Sequence, residues 1–302
     1  MKLHTSACVA LSVALVLGGF WAVLEARAEE PAADAPWTIE RVATGYRFTE
    51  GPAQDAEGRI LFTDIHAAEI HRFDPKTGKA ERFLEKSGRS NGLLFDAKGR
   101  LLACEGGRRQ LVRHDGEGKV TVLASRYEGK RLNSPNDLTR DDAGRIWFTD
   151  PRYGKQDDRE LDFEGVYLID GDKPLRRVCS EVEKPNGILR AKKGKRLYVA
   201  DSKRKRIMVY DVGAEGIPAK GRVFANLELE GRGGPDGMTQ DDAGHVFVSG
   251  QGHLWMWDAK GTLVHKVRIP ESPTNCLFVS AKPYTLYVTA RTSLYRLTKK
   301  AK

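Results

Sequence analysis

Residues 131–150 read RLNSPNDLTRDDAGRIWFTD: a segment carrying Asn136 and Asp137, a short apolar run, the hairpin signal DDAG, and an apolar strand IWFT closed by Asp150. Nearly the same phrase recurs along the chain. The copies are TEGPAQDAEGRILFTD (49–64), SNGLLFDAKGRLLACE (90–105), SPNDLTRDDAGRIWFTD (134–150), KPNGILRAKKGKRLYVAD (184–201), GPDGMTQDDAGHVFVSG (234–250) and SPTNCLFVSAKPYTLYVTA (272–290). Each copy opens on a side chain with a free oxygen: Glu50, Asn91, Asn136, Asn186, Asp236 and Asn275.

The closing residues Asp64, Glu105, Asp150, Asp201, Gly250 and Ala290 are spaced by 41, 45, 51, 49 and 40 residues, and each lies 14 or 15 residues after its opening residue. A near-fixed period of this size marks a repeat architecture. Residues 37–298 number 262, and a sixth of that is about 44, the length of one four-stranded propeller blade. Helical periodicity is nearly absent, and short β-branched and aromatic runs alternate with turn clusters. The sequence therefore predicts an all-β chain: one six-bladed β-propeller over 37–298 with four-stranded blades. In the second unit the strands are expected at 92–96, 100–104, 110–114 and 120–124. The aspartates of the DAEG, DAKG and DDAG turns, Asp141, Asp142, Asp241 and Asp242 among them, read as structural. The closing acids Asp64, Asp150 and Asp201 read as turn caps.

Working outward, residues 1–28 have the pattern of a secretory signal. Lys2 precedes an apolar run of 18 residues from Ala7 to Leu24, and the small-residue site Ala26-Arg27-Ala28 follows. Cleavage is expected after Ala28, which places the mature chain in a secreted or periplasmic compartment with no stable membrane span; an uncleaved anchor is the alternative. Residues 29–36 read as a linker and 299–302 as a basic tail. The sixth unit has only three strands of its own. The strand signal WTIERVATGYRF at 37–48 supplies its fourth, closing the last blade and leaving no open joint.

The formal net charge of the full chain is +9. The basic runs KRKR (203–206) and KKAK (299–302) read as solvated turns, because no continuous basic face is evident and an export signal argues against a nucleic-acid partner. GRSNG around Ser90 matches a nucleophile-elbow pattern, but a strand follows where that chemistry needs a helix. GRGGPDG near 231 also lacks the helix that phosphate cradling requires. Cys104, Cys179 and Cys276 have no metal-ligand spacing and fit either one disulfide with a spare thiol or three buried thiols. His66 and His71 read as surface or packing residues, with His66 within reach of the channel mouth. The polar insert PRYGKQDDRELDFEG (151–165) makes the longest spacing; it reads either as a cover for a substrate or as a solvated connection.

In a propeller the innermost strands line a central channel and their equivalent ends converge on the axis. Two of the six converging side chains, Glu50 and Asp236, are carboxylates, so either a cation lies between them or one holds a proton. Two charges with amide oxygens form a hard-ligand set that suits Ca²⁺, and the lack of Cys and His there argues against structural zinc. Asn-Gly and Asp-Gly are also turn dipeptides, which is the alternative reading for Asn91-Gly92, Asn186-Gly187 and Asp236-Gly237. Neither Glu50 nor Asn275 fits that alternative, and the shared oxygen favours a metal site.

The motifs TEGP, LNSPNDL, FTDPRYG, PNGI, PDGM and PTNC, in this order over roughly 45–290, resemble those of the gluconolactonase-like branch of the senescence-marker-protein (regucalcin) family. Those proteins are six-bladed propellers related to diisopropyl fluorophosphatase. The resemblance implies a divalent cation, usually Ca²⁺ with Mg²⁺, Mn²⁺ and Zn²⁺ left open, held by Glu50, Asn186 and Asp236. It also implies that Asn136 is a further ligand or a substrate contact. The implied activity is hydrolysis of a sugar lactone, a small-molecule substrate: the cation polarises the carbonyl and Asp236 is the candidate general base, with a metal-generated hydroxide as the competing assignment. Asn136 then orients water or a sugar hydroxyl, Asp137 supports it, and Arg152 and Tyr153 are loop contacts to substrate. The sequence departs from the family pattern at Arg152, where the loop often carries proline, and at His253, where glycine is expected. Two rivals stay open: a metal-dependent esterase or phosphotriesterase, and a non-catalytic carbohydrate- or protein-binding propeller with a structural calcium. Oligomeric state is not legible.

Overall fold

The computed structural model describes residues 37–299. The expected signal segment, the linker and the end of the basic tail lie outside the described residues. Among the described residues the strands form six four-stranded antiparallel sheets, the blades, and one two-stranded hairpin. The first strand, β1 (Trp37–Thr44), belongs to the last blade. Blade one is β2 (Thr49–Gln54), β3 (Ile60–Asp64), β4 (Glu69–Asp74) and β5 (Lys79–Leu84). Blade two is β6 (Ser90–Phe95), β7 (Leu101–Glu105), β8 (Gln110–Gly116) and β9 (Lys119–Ala124). The small hairpin β10 (Arg126–Tyr127) and β11 (Lys130–Arg131) precedes blade three: β12 (Leu138–Arg140), β13 (Ile146–Asp150), β14 (Gly165–Ile169) and β15 (Arg176–Cys179). Blade four is β16 (Pro185–Arg190), β17 (Arg196–Asp201), β18 (Arg206–Val212) and β19 (Pro218–Asn226). Blade five is β20 (Pro235–Gln240), β21 (Val246–Gly250), β22 (His253–Trp257) and β23 (Leu263–Arg268). Blade six is β24 (Pro273–Ala281), β25 (Tyr284–Ala290), β26 (Ser293–Lys299) and β1.

Closure works as the sequence implies. β1 pairs antiparallel with β26 from Trp37↔Lys299 to Thr44↔Ser293, so a strand from the start of the propeller completes its last sheet. That last strand runs through Lys299, one residue beyond the expected boundary.

The second strand of each blade is apolar on both sides because each blade is packed between two others. Leu101 and Ala103 of β7 pack with Ala53, Leu61 and Ile70 of blade one, while Leu102 and Cys104 face Leu138, Ile146 and Phe148 of blade three. Equivalent clusters fill the remaining junctions, the last joining Ile60, Phe62 and Phe73 of blade one to Tyr287 and Leu294 of blade six. The core is thus a ring of interfaces between sheets, and the period-2 alternation that marks a half-exposed strand is absent from these runs.

The turn aspartates hold the first hairpin of their blades. Asp55, Asp96, Asp141 and Asp241 each accept the backbone N–H four residues on, at 2.8, 2.9, 3.0 and 2.8 Å, and each carboxylate also meets the side chain at that position, an arginine or His245. The closing acids hold the crossings between blades. Asp64 accepts N–H bonds from Arg47 and Phe48, Asp150 from Asn133 and Ser134, and Asp201 from Glu183. Among the described residues no helix is long and apolar enough to cross a membrane.

Candidate metal and catalytic site

A β-bulge at the start of each long innermost strand aims the opening side chains. On β2, Glu50 faces Thr63 but Ala53 faces Leu61, so one extra residue enters the inner strand. The same offset separates Ser90 from Leu93, Pro185 from Ile188, Pro235 from Met238 and Pro273 from Asn275. Bulges bend a strand and redirect side chains, and here they do so at equivalent ends of the inner strands.

The glycines after the opening residues bring these strands together. A Cβ on Gly187 would lie 2.1 Å from the Asp236 carbonyl oxygen, on Gly51 2.0 Å from that of Asn91, and on Gly237 1.9 Å from the Asn275 side chain. The turn reading of Asn91-Gly92, Asn186-Gly187 and Asp236-Gly237 is therefore corrected. These pairs lie inside strands β6, β16 and β20, and the glycine is there because the next blade's backbone or opening side chain occupies the space a Cβ would need. Hydrogen bonds run across every junction: Thr63 Oγ1 to Asn91 O, Gly92 N to Asn136 O, Thr149 Oγ1 to Asn186 O, Ser202 Oγ to Pro235 O, Ser249 Oγ to Thr274 O, and Thr274 Oγ1 to Thr49 O.

The structure brings Glu50, Asn186, Asp236 and Asn275 together, Glu50 interacting with Asp236 and Asn275 and Asp236 with Asn186; Asn136 is buried at the corresponding end of its blade, where its backbone oxygen accepts the Gly92 N–H. Burial first, and then the negative charge of Asp236, pushes the Glu50 carboxyl well above its ordinary value. Burial, then the charge of Asp137, pushes Asp236 up to about 8. The Oδ1 atom of Asp236 is buried without a hydrogen-bond partner. A buried carboxylate oxygen left unsatisfied beside a second buried carboxyl, with asparagine side chains around the pair, is an environment a divalent cation relieves, so these residues fit one. Among the described residues no cluster of three or more His, Cys, Asp and Glu has metal-ligand geometry, and the candidate set completes itself with asparagines.

Asp137 is held by backbone N–H groups of its own and the next blade. Its Oδ1 accepts the Leu138 N–H at 2.9 Å, its Oδ2 accepts the Ile188 N–H at 3.4 Å, and burial raises it to about 7. Its charge acts on Glu50, Asp236 and the thiols Cys104 and Cys276, which places it among the inner strands. Arg152 bonds its guanidinium to Lys155 O and the Asp158 carboxylate within its loop and to Asn133 O in the segment before β12. Tyr153 reaches the ring: Asn186 Nδ2 donates to its hydroxyl at 3.2 Å. His66 packs against Phe48 in a tilted arrangement at 5.2 Å between centroids, and His71 packs on Tyr46 and Phe62. Cys104, Cys179 and Cys276 are free, buried thiols.

The repeat pattern gives no sign of the residues that hold the 151–165 segment. Arg109, 2 % exposed, donates to Leu132 O and Asp158 O. Glu164 receives the N–H groups of Arg152 and Lys184 and the Lys184 ammonium, which also bonds Arg152 O. The segment is a strapped rim beside the ring and differs from a solvated connection in that respect. The one available signal was the mixture of acids and bases within PRYGKQDDRELDFEG, whose partners lie in other blades.

Comparison with known proteins agrees with this architecture. The model of the SMP-30/gluconolactonase/LRE-like region matches residues 48–292. A gluconolactonase of Zymomonas mobilis is 29 % identical over 293 residues, spanning 87 % of this chain and 82 % of its own. The pentonolactonase XacC of Haloferax volcanii is 29 % identical over 267 residues, spanning 83 % and 84 %. Among solved structures, a gluconolactonase from Xanthomonas campestris superposes with a TM-score of 0.81 at 28 % identity, covering 89 % of this chain and 96 % of that one. The chain belongs to the SMP-30/gluconolactonase/LRE-like family.

Proposed function

We propose that this protein is a divalent-cation-dependent hydrolase that opens a sugar lactone. Family membership and the lactonase relatives support lactone hydrolysis. The observation that carries the cation and the mechanism is the ring itself: Glu50 and Asp236, both pushed toward the protonated state by burial, with Asp236 Oδ1 unsatisfied and asparagine amides around them.

Glu50, Asn136, Asn186 and Asp236 would hold the cation. When bound, it supplies Lewis acidity to the lactone carbonyl oxygen. Asp236 is the base that takes a proton from the attacking water, because one of its oxygens has no competing donor and its raised proton affinity suits work near neutral pH. Asn136 orients that water or a substrate hydroxyl. The buried backbone bonds of Asp137 hold the Asn136 segment in register, a supporting role. The strapped rim carries Tyr153, a half-exposed residue, next to Asn186, where a hydroxyl-rich substrate approaches. The N-terminal signal pattern supports an exported, secreted or periplasmic protein acting on a small sugar lactone.

The test is acid release from a panel of five- and six-membered aldonolactones, followed at constant pH with and without chelator. Turnover that chelation removes and Ca²⁺ restores supports the proposal. Absence of lactone turnover, together with a Ca²⁺-dependent rise in melting temperature, would favour the binding propeller instead.

A further inference from the structure

Blades one and four face each other across the ring, and on each of these two sides the candidate site is flanked by a cation packed on an aromatic side chain. On the blade-four side the Lys184 ammonium lies 5.4 Å from the centre of the Tyr153 ring, next to Asn186. On the blade-one side the Arg291 guanidinium lies 5.6 Å from the centre of the ring of Phe48, which stands two residues before Glu50. The two cations differ in what else they touch. The Lys184 ammonium bonds the Glu164 carboxylate at 2.9 Å and the Arg152 carbonyl oxygen, so its charge is spent within the protein. Arg291 is exposed, and its guanidinium has no hydrogen-bond acceptor and no carboxylate partner among the described residues.

The backbone fixes where Arg291 stands. Its carbonyl oxygen accepts the N–H of Thr49 at 2.7 Å, which ties it to the residue immediately before Glu50. It also begins the two-residue turn between β25 and β26, with a φ of 43° in the left-handed region that glycine occupies most easily. A long charged side chain is a costly choice at such a position, and strained positions of this kind collect at ligand sites. The platform beneath the guanidinium is fixed as well, because His66 packs on the same Phe48 ring.

A guanidinium without a partner presents a planar fork of donors that matches a carboxylate or a phosphate. We propose that Arg291 is a specificity-determining residue: its guanidinium, seated on Phe48 beside Glu50, receives a negatively charged group on the carbon chain of the lactone. The preferred substrates are then anionic sugar lactones, bearing a carboxylate or a phosphate away from the ring carbonyl. This rests on the lactone-hydrolysis reading and does not depend on which groups hold the cation.

Initial rates of acid release by the full-length protein test it, using a lactone of glucaric acid and a phosphorylated gluconolactone, each against a neutral gluconolactone of the same ring size. Wild type is expected to show a KM about 10-fold lower for a charged lactone than for its neutral counterpart, the scale of one charge-assisted contact. Which charged lactone gains tells carboxylate from phosphate. Arg291→Gly is expected to raise that KM about 10-fold with little change in kcat, because a contact remote from the carbonyl acts equally on bound substrate and transition state. Its melting temperature should stay close to that of wild type, since glycine accepts the turn conformation without strain. Arg291→Glu should turn the preference into rejection of both charged lactones. A wild type that treats charged and neutral lactones alike overturns the proposal, as does a preference that survives in both variants. A fall in kcat common to charged and neutral lactones would mark a structural role and overturn it too. A wild type that opens no lactone of either kind sinks the lactonase reading and this inference with it, an outcome distinct from the others.

Discussion

Cation binding should depend steeply on pH, in a direction the site dictates. Asp236 is raised by burial, and then by Asp137, to about 8, and Glu50 is raised well above its ordinary value. In the unfolded chain both ionise near pH 4. The folded, cation-free protein therefore holds more protons than the unfolded one between about pH 4 and pH 8. Its stability falls through that window as pH rises, by about 1.4 kcal/mol per pH unit for each such carboxyl. A bound cation must displace that proton. Its affinity should consequently rise from pH 6 to pH 8 by about 50-fold if Asp236 alone titrates at its raised value, and by more if Glu50 contributes. Ca²⁺ titrations at pH 6, 7 and 8, each in two buffers of different ionisation heat, report affinity and proton release together. Release of about one proton per ion at pH 6, vanishing above pH 8, is expected. An Asp236→Asn variant should bind weakly with a flatter profile. Affinity that stays within threefold over this range, with no proton released, would refute the protonated-pair account.

Three further outcomes follow from the packing. Gly187→Ala places a methyl group 2.1 Å from the Asp236 carbonyl oxygen, so strand separation at the blade four–five junction should cost about 1–3 kcal/mol or more, a fall of several degrees in melting temperature; an unchanged melting curve would contradict the close approach. Removing residues 1–44 deletes β1 and leaves β26 as an unpaired edge, which should lower the unfolding midpoint in urea and promote aggregation; equal stability would show that closure by β1 contributes little. Cys104, Cys179 and Cys276, whose thiols burial pushes up, should react with a thiol reagent only after denaturation, and fast labelling of the native protein would argue against their burial.

The parts legible in the sequence were those that recur. The apolar second strands, such as ILFT, IWFT and VFVS, repeat because each must pack on two neighbouring blades, and the D-x-x-G turns repeat because each closes a similar hairpin. The opening oxygens stood out through their constant distance from the strand ends, and Trp37–Thr44 as a strand without a blade of its own. What did not recur was hidden. The bulges leave no residue signature, and the glycines after Asn186 and Asp236 imitate turn dipeptides although they serve contact between blades. Arg109, Glu164, Lys184 and Ser202 act on backbone carbonyls or on residues 20 to 49 positions away, and a carbonyl acceptor is present at every residue, so no pattern marks the chosen one.

Glu50, Asn136, Asn186 and Asp236, from four blades, would hold one cation on which lactone opening depends. That dependence is tested most directly by adding Ca²⁺ stepwise to fully chelated protein while bound ion and acid release from glucono-1,5-lactone are measured on the same samples. Turnover should rise with occupancy of a single site per chain, and Asp236→Asn should lose at least about 100-fold in rate even when that site is filled, the usual contribution of a general base. Full turnover by chelated protein, or undiminished turnover by Asp236→Asn, would contradict it.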